Sequence, residues 1–368
     1  MTKPAGTSLV TAVANTDLAQ GWLQRYQGKR PCYLCVLGYT ATALEPQISA
    51  AGSSPEARRF TALADAEYIY DGPSKTPTYA LPPLQAGVSP ALITRAITAG
   101  QMLPVYLFNA GLPETPSVPH IDLQSRPARC LSTGAAMAPQ QVHQLFQAGL
   151  SWGERLGRRF GDSYLILGEC VVAGTTTAQA VLTALNFDVS GLMGSSHPSC
   201  NHQQKADIVA RGLTKWSVKS ESNPVWQALA AVGDPMQPFV LGLAMAASRH
   251  CGVMLAGGSQ MVAVYTLMVL LGERYRWHRQ NVAIGTTKWI VNDATSQFLS
   301  LIERVPTPPV LVSKFSFESS QHRQLRIFER GYVKEGVGAG GCLIAGNLYQ
   351  RWQQSGMLHA IEKLIDPG

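Results

Sequence analysis

Tyr164-Leu165-Ile166-Leu167-Gly168-Glu169-Cys170-Val171-Val172-Ala173-Gly174-Thr175-Thr176-Thr177-Ala178-Gln179-Ala180-Val181-Leu182 is the stretch that decides the fold. It opens as a short apolar run, 164–168, that reads as a strand and ends in a carboxylate, Glu169. A Gly-Thr turn follows and opens a helix over 175–185. Strand, small-residue turn and helix make one unit of an α/β protein, and the turn lies where open parallel sheets place their ligands. The same order recurs outward along the chain. Apolar runs at 33–39, 105–109, 252–256 and 282–285 read as further strands, most of them followed by turns rich in Gly, Ser or Thr. Amphipathic or apolar stretches at 90–99, 139–160, 203–212, 235–250, 259–272, 294–305 and 338–355 read as helices. The expected architecture is an α/β domain over 31–335 with a largely parallel sheet. The two ends, 1–30 and 336–368, fall outside the alternation and are expected to pair as a small helical subdomain.

The chain has 368 residues, 46% hydrophobic and 14% charged, which excludes a mostly disordered protein. The formal net charge is +7, but the basic residues are scattered. The densest group, Arg155, Arg158 and Arg159, reads as the solvated face of a helix, so no nucleic-acid partner is expected. The charge-free window 251–272 is long enough to span a membrane. Ala256-Gly257-Gly258-Ser259-Gln260 interrupts it, and the remainder, 261–271, fits a buried core helix. With only a weak apolar stretch at 8–14 and Asp17 close behind it, no signal peptide is read. A cytoplasmic protein without a membrane partner is the expectation.

Seven cysteines, odd in number and widely spaced, argue against a disulfide framework. Cys32-Tyr33-Leu34-Cys35 is a CxxC, but it opens an apolar strand rather than a helix, and no second ligand pair stands at zinc spacing. No metal and no organic cofactor is expected; Cys200-Asn201-His202 is equally thin as metal evidence.

The turn Ala173-Gly174-Thr175-Thr176-Thr177 has two readings. Backbone N–H groups at a helix start attract phosphate, and hydroxyls add donors. Lacking the lysine of a nucleoside-triphosphate loop, it suits a monophosphate or phosphoribosyl group. Alternatively it is a simple Thr N-cap of a buried helix, and spacing alone leans slightly that way. Gly194-Ser195-Ser196-His197-Pro198-Ser199 is a second polar turn. Lys205, next in a helix, either neutralises the same phosphate or is a solvated surface lysine. Glu335-Gly336-Val337-Gly338-Ala339-Gly340-Gly341 formally holds GxGxxG, but too little chain follows for a dinucleotide unit. It reads as a tight turn that admits a ligand close to the backbone. Glu335 is then either a general base, its pKa raised by partial desolvation, or an exposed cap of the following helix. Glu169 and Glu335 together also fit a glycoside or nucleoside hydrolase pair, without the aromatic surroundings of a sugar cleft.

In their order, Gly168-Glu169, Gly174-Thr175-Thr176, Lys205 and Glu335-Gly336-Val337-Gly338-Ala339 resemble the nicotinate-nucleotide:dimethylbenzimidazole phosphoribosyltransferase family. Ile48-Ser49-Ala50-Ala51-Gly52, Asp65-Ala66-Glu67 and Ala256-Gly257-Gly258-Ser259-Gln260-Met261 resemble patterns of a divergent branch of that family. The likeness runs from about residue 40 onward. It implies a Rossmann-like α/β domain, a small helical domain built from both chain ends, and a homodimer. The implied reaction moves phosphoribose from nicotinate mononucleotide to an aromatic base, a benzimidazole or a purine, and makes the α-riboside phosphate of the cobalamin lower ligand. The resemblance makes Glu335 the catalytic base, acting with Glu169. Gly174, Thr175, Thr176, Thr177, Ser195, Ser196, Lys205, Gly336 and Gly338 surround the substrates, and Gly134 and Met137, with Asn109-Ala110-Gly111, line the pocket. The chain departs from the family in two places. Lys3-Pro4-Ala5-Gly6-Thr7-Ser8-Leu9 only echoes its N-terminal motif, and Gly285-Thr286-Thr287-Lys288 does not match its pocket residues. The departures leave a second reading, a non-catalytic nucleotide-binding or sensing protein on the same scaffold.

Overall fold

The apolar runs become strands because alternate side chains find a hydrophobic layer on either side. In the computed structural model, which describes residues 8–81, 87–197, 199–216 and 223–365, eight strands form one sheet. They are β1 (Val10–Ala14), β2 (Cys32–Leu37), β3 (Val105–Asn109), β4 (Ile121–Asp122), β5 (Tyr164–Cys170), β6 (Gly252–Ala256), β7 (Val282–Thr287) and β8 (Val310–Ser313). Their order is β1-β8-β7-β6-β5-β2-β3-β4. Every neighbouring pair is parallel except β1 with β8. Leu34, Val36, Leu165, Leu167, Val253, Leu255 and Ile284 face one core. There the helices Pro139–Arg159, Gly174–Ala184, Met236–Ala247 and Ser259–Leu271 cover them. Tyr33, Cys35, Ile166, Met254, Ala283 and Leu311 face the other core, under Thr16–Tyr26, Thr61–Asp71, Ala91–Gly100, Ala339–Gln350 and Gln354–Glu362. The period-2 split of each strand is what a sheet buried on both faces requires.

The five expected strands are present within a few residues, as is the break of the apolar window 251–272 into β6, a turn and a helix. Among the described residues no helix is long and apolar enough to cross a membrane. Three strands escaped the reading. β4 has two residues and β8 four, directly after Pro306-Thr307-Pro308-Pro309. β1 lies in the segment expected to be helical; only Thr16–Tyr26 there is a helix, and β1 closes the sheet edge. The helix expected over 338–355 ends at Gln350, where Arg351 turns left-handed at φ 57°, and that expected over 294–305 shortens to Phe298–Glu303. Lys3 to Thr7 and Pro198 lie outside the described residues.

The CxxC is settled by strand geometry. Cys32 faces one core and Cys35 the other, both wholly buried and free.

The chain leaves β2 toward β3 and β4, then returns to lay β5 on the opposite side of β2 and builds outward through β6, β7 and β8. The reversal opens a crevice beyond the carboxyl ends of β2 and β5, the expected place for a ligand in such a sheet. Helices Pro139–Arg159 and Met236–Ala247 hold this frame by close backbone contact. A Cβ on Gly149 would stand 2.2 Å from the Phe239 carbonyl oxygen, and one on Gly153 2.3 Å from that of Leu243.

Candidate active site

A cleft of about 1160 Å³, its open mouth included, lies at that crevice. Its walls come from the segments after β2 and β5, the first turns of Gly174–Ala184 and Ser259–Leu271, and the loop before Ala339–Gln350. Glu169, Gly174, Thr175, Ser195, Ser196, Glu335 and Gly336 all line it.

Two carboxyls meet here. Glu169 ends β5. Its oxygens accept from the Gln260 amide nitrogen at 2.7 Å and from the Val171 N–H at 3.0 Å. Burial, then the charges of Asp234 and Glu335, raise its pKa to about 8 against the pull of those donors. Glu335 accepts from the Gly340 N–H at 3.1 Å and the Gly336 N–H at 3.2 Å. It therefore caps helix Ala339–Gln350 from a partly buried position, not an exposed one, and also lines the cleft. Burial raises its pKa to about 7, and the Gly340 and Gly336 N–H groups oppose that rise.

The glycine run explains how Glu335 arrives there. A Cβ on Gly341 would sit 2.4 Å from that of Ala256, and a Cβ on Gly340 2.5 Å from Glu335 Oε2. Only hydrogen at those positions lets the helix start rest on the sheet with the carboxylate folded back onto it. The loop ahead is strained. Val333, Lys334 and Val337 have φ of 64°, 62° and 43°. The Lys334 N–H donates to the Tyr332 carbonyl and the Glu335 N–H to that of Val333, both at 2.7 Å, which makes two successive γ-turns. Such a conformation persists only where its surroundings enforce it, and it gathers at functional sites. Here Tyr33 and Thr94 hydroxyls donate to the Val337 carbonyl at 2.6 and 2.9 Å, and Thr287 donates to that of Lys334 at 2.7 Å. Lys334 Nζ pairs with Asp293 at 2.5 Å, both side chains buried.

Hydroxyls gather on another part of the cleft wall. Ser196 Oγ accepts from the Ala50 N–H at 2.9 Å and lies 3.1 Å from Ser49 Oγ. Ser195 and Thr175 stand beside them. Behind this wall Lys205 is wholly buried, so it is no surface lysine. Its ammonium donates to Thr175 Oγ1 at 3.0 Å and to the Gly194 carbonyl, and burial lowers its pKa to about 8. Arg58 is also buried. It donates to the carbonyls of Ala43, Glu45, Ser49 and Ala51 at 2.6 to 3.0 Å and so fixes the loop after β2. Burial and the nearby Arg58, Lys205 and Lys334 charges lower the pKa of His197 against its bond to the Gln47 carbonyl.

Of the other sequence-marked residues, Thr176, Thr177, Gly338, Gly134, Met137 and Asn109 lie outside the cleft lining. Ala173, not a threonine, is the N-cap of Gly174–Ala184, left-handed at φ 67° and without a side-chain cap. The N-cap reading of the Thr run therefore fails. Thr177 donates to Asp234 at 2.5 Å beneath the site, and the Thr176 hydroxyl is buried without a partner. Gly338 starts Ala339–Gln350 at φ 73° and packs on Gly168. Gly134 ends the 3₁₀ turn Leu131–Thr133 against Gly212, and Met137 packs in the first core. The Asn109 side chain caps its own turn, accepting from the Gly111 and Leu112 N–H groups at 3.0 and 2.9 Å. Thr287 caps the short helix Lys288–Val291. Conversely, Thr61, Ser89 and Gln260 line the cleft without having been singled out as site residues, and so does Asp65. Among the described residues no group of three or more His, Cys, Asp or Glu side chains could hold a metal ion.

Relatives place this chain in a family. A UPF0284 protein of Gloeothece citriformis is 49% identical over 359 residues, 97% of each chain. One of a Cyanothece species is 51% identical over 360 residues, again 97% of each. The chain belongs to the UPF0284 family. A family model described as phosphoribosyltransferase matches residues 96–277. The solved structure of CobT from Thermus thermophilus superposes with a TM-score of 0.62 at 16% identity, covering 98% of this chain and 92% of that one. A nicotinate-nucleotide-dimethylbenzimidazole phosphoribosyltransferase from the same organism gives 0.60 at 16% identity, with 99% and 92% covered. The fold is thus CobT-like, and within it residues 96–277 match the phosphoribosyltransferase model.

Proposed function

We propose that this protein transfers phosphoribose from nicotinate mononucleotide to an aromatic base, releasing nicotinate and forming the α-riboside 5′-phosphate of a cobamide lower ligand. The observation that carries the reading is the make-up of one cleft. The hydroxyls of Ser49, Thr175, Ser195 and Ser196, backed by the buried Lys205, share its wall with carboxyls whose pKa is raised. The phosphate sits toward Ser49, Thr175, Ser195 and Ser196, in the field of Lys205. The ribose C1′ then lies toward Glu335. One ring nitrogen of the acceptor attacks C1′. The C1′–N bond to the pyridinium breaks, and its electron pair neutralises the ring nitrogen of the departing nicotinate. Glu335 takes the proton from the acceptor's other ring nitrogen. A base poised near the working pH suits this task, and positioning supplies much of the remaining acceleration because the leaving group already carries positive charge. Burial raises Glu169 as well, so both carboxyls lie near the working pH. The resemblance further implies a homodimer, which sedimentation checks.

The test is mass spectrometry of the purified chain with nicotinate mononucleotide and dimethylbenzimidazole, adenine or no acceptor. Free nicotinate and a new riboside phosphate are expected only with a base. Glu335→Gln should lower kcat by about 10²–10⁴, the usual share of a general base, with nucleotide affinity kept. The wild-type rate should rise with pH through about 7, because Glu335 acts deprotonated. Nucleotide binding without turnover would make the protein a sensor; ribose phosphate formed without acceptor would make it a hydrolase.

A further inference from the structure

We propose that the wall formed by Thr61, Asp65 and Ser89 selects the acceptor: a fused nitrogen heteroaromatic whose outer edge donates hydrogen bonds through an exocyclic amino group. The inference rests on the transferase reading and adds the acceptor's chemical class. Thr61 and Asp65 stand one turn apart on helix Thr61–Asp71 and both line the cleft, with Ser89. This wall adjoins Glu335: a Cβ on Gly336, the next residue, would stand 3.0 Å from Pro90, which follows Ser89.

The hydrogen-bond directions decide the ligand. Ser89 Oγ donates to Asp65 Oδ1 at 2.7 Å, and Cys170 Sγ donates to Oδ2 at 3.3 Å. The serine proton is thereby turned away from the cleft. One lone pair of Ser89 takes the Ala91 N–H at 3.1 Å; the other is left for a ligand. Asp65 keeps unused acceptor positions, since a carboxylate offers about four and two are filled. Thr61 is nine-tenths buried, and its hydroxyl oxygen has no partner. Asp65 and Ser89 thus present spare acceptors to the cleft, and the Thr61 hydroxyl is free to accept as well as to donate. Two residues on, Glu67 differs: it accepts from the Thr78 and Tyr79 N–H groups and the Ser117 hydroxyl at 2.7 to 2.9 Å, and so serves the fold. A methyl-bearing ring edge against Asp65 would leave a buried carboxyl with unmet acceptor positions. Sites built to hydrogen-bond a substrate discriminate strongly against analogues lacking the group.

The probes are adenine and purine, which differ by the amino group alone, with dimethylbenzimidazole as the methyl-edged comparison. With nicotinate mononucleotide as donor, kcat/KM should favour adenine over purine at least tenfold, and over dimethylbenzimidazole by no less. Asp65→Leu should bring adenine and purine within about threefold of each other. If that variant does not fold, as judged by circular dichroism, Thr61→Val should narrow the same ratio. Equal kcat/KM for adenine and purine in the wild type, or a variant that lowers both alike, would overturn the inference while leaving the transferase standing. Failure of every base to react would instead sink the transferase reading. Calorimetry of adenine and purine on the full chain then decides the wall's preference, with tighter adenine binding, lost in Asp65→Leu, supporting it and equal binding refuting it.

Discussion

Lys205 and Lys334 are both wholly buried, and they differ in what faces them. Lys334 has Asp293 at 2.5 Å. Burial alone would raise the pKa of Asp293, but its bonds to Lys334 and Thr295 hold it below the ordinary value. Lys205 is bonded to a hydroxyl and a carbonyl, and no carboxylate pairs with it among the described residues. A buried charge without a counter-ion is costly, and the lowered pKa of Lys205 expresses that cost. The contrast separates two uses of one residue type. Lys334 pins the strained loop that presents Glu335. Lys205 holds a positive charge behind Thr175, where an anionic group of the substrate would complete it.

The largest effect that would break this contrast is on stability. Lys334→Met leaves Asp293 buried and unpaired, which costs about 3–5 kcal/mol in comparable pairs. Denaturant melts should show that loss, and Lys334→Met with Asp293→Leu should recover much of it. Lys205→Met removes a charge that has no carboxylate partner, so its melt should match or exceed the wild type. Equal destabilisation by the two single variants would erase the distinction.

The next effect is on the substrate. Lys205→Met should raise KM for nicotinate mononucleotide about ten- to a hundredfold, the range spanned by hydrogen bonds to charged groups. KM for the acceptor base should change much less. If both rise together, Lys205 shapes the cleft as a whole and does not serve the anion.

The frame is legible in the sequence because it rests on local signals. The runs at 105–109 and 252–256 are apolar, of strand length and closed by small polar turns, and β3 and β6 occupy them. β1 and β8 lack that signal: one begins a weakly apolar stretch, and the other follows three prolines within four residues. Glu169, Thr175 and Glu335 were legible because each adjoins a glycine whose missing Cβ the packing needs. Lys205 was legible as a residue but not as a buried one, since burial depends on Gly194 and Thr175 folding over it. The hydrogen-bond directions at Asp65 stayed hidden because Ser89 and Cys170 reach it across 24 and 105 residues. Gly134 and Met137 were misplaced for the opposite reason: a small-residue turn looks the same in sequence whether it faces a cleft or helix His202–Thr214.

The smallest effect is the sharpest test of the lysine contrast, because it needs no substrate. Lys205 has a folded pKa lowered to about 8 from 10.5. Below pH 8 both folded and unfolded chains carry its proton. Between about pH 8 and 10.5 the unfolded chain keeps the proton while the folded chain gives it up, and stability then rises with pH. Glu169, Glu335, Asp65 and Asp234, all raised by burial, push the other way between about pH 4 and 8. They are present in both wild type and Lys205→Met, so they cancel in the difference of the two melts. That difference should be flat below pH 8 and turn in favour of the wild type above it. A flat Lys205 difference up to pH 10 would mean that the ammonium is already satisfied in the free protein, and anion binding in the cleft would lose its main electrostatic argument.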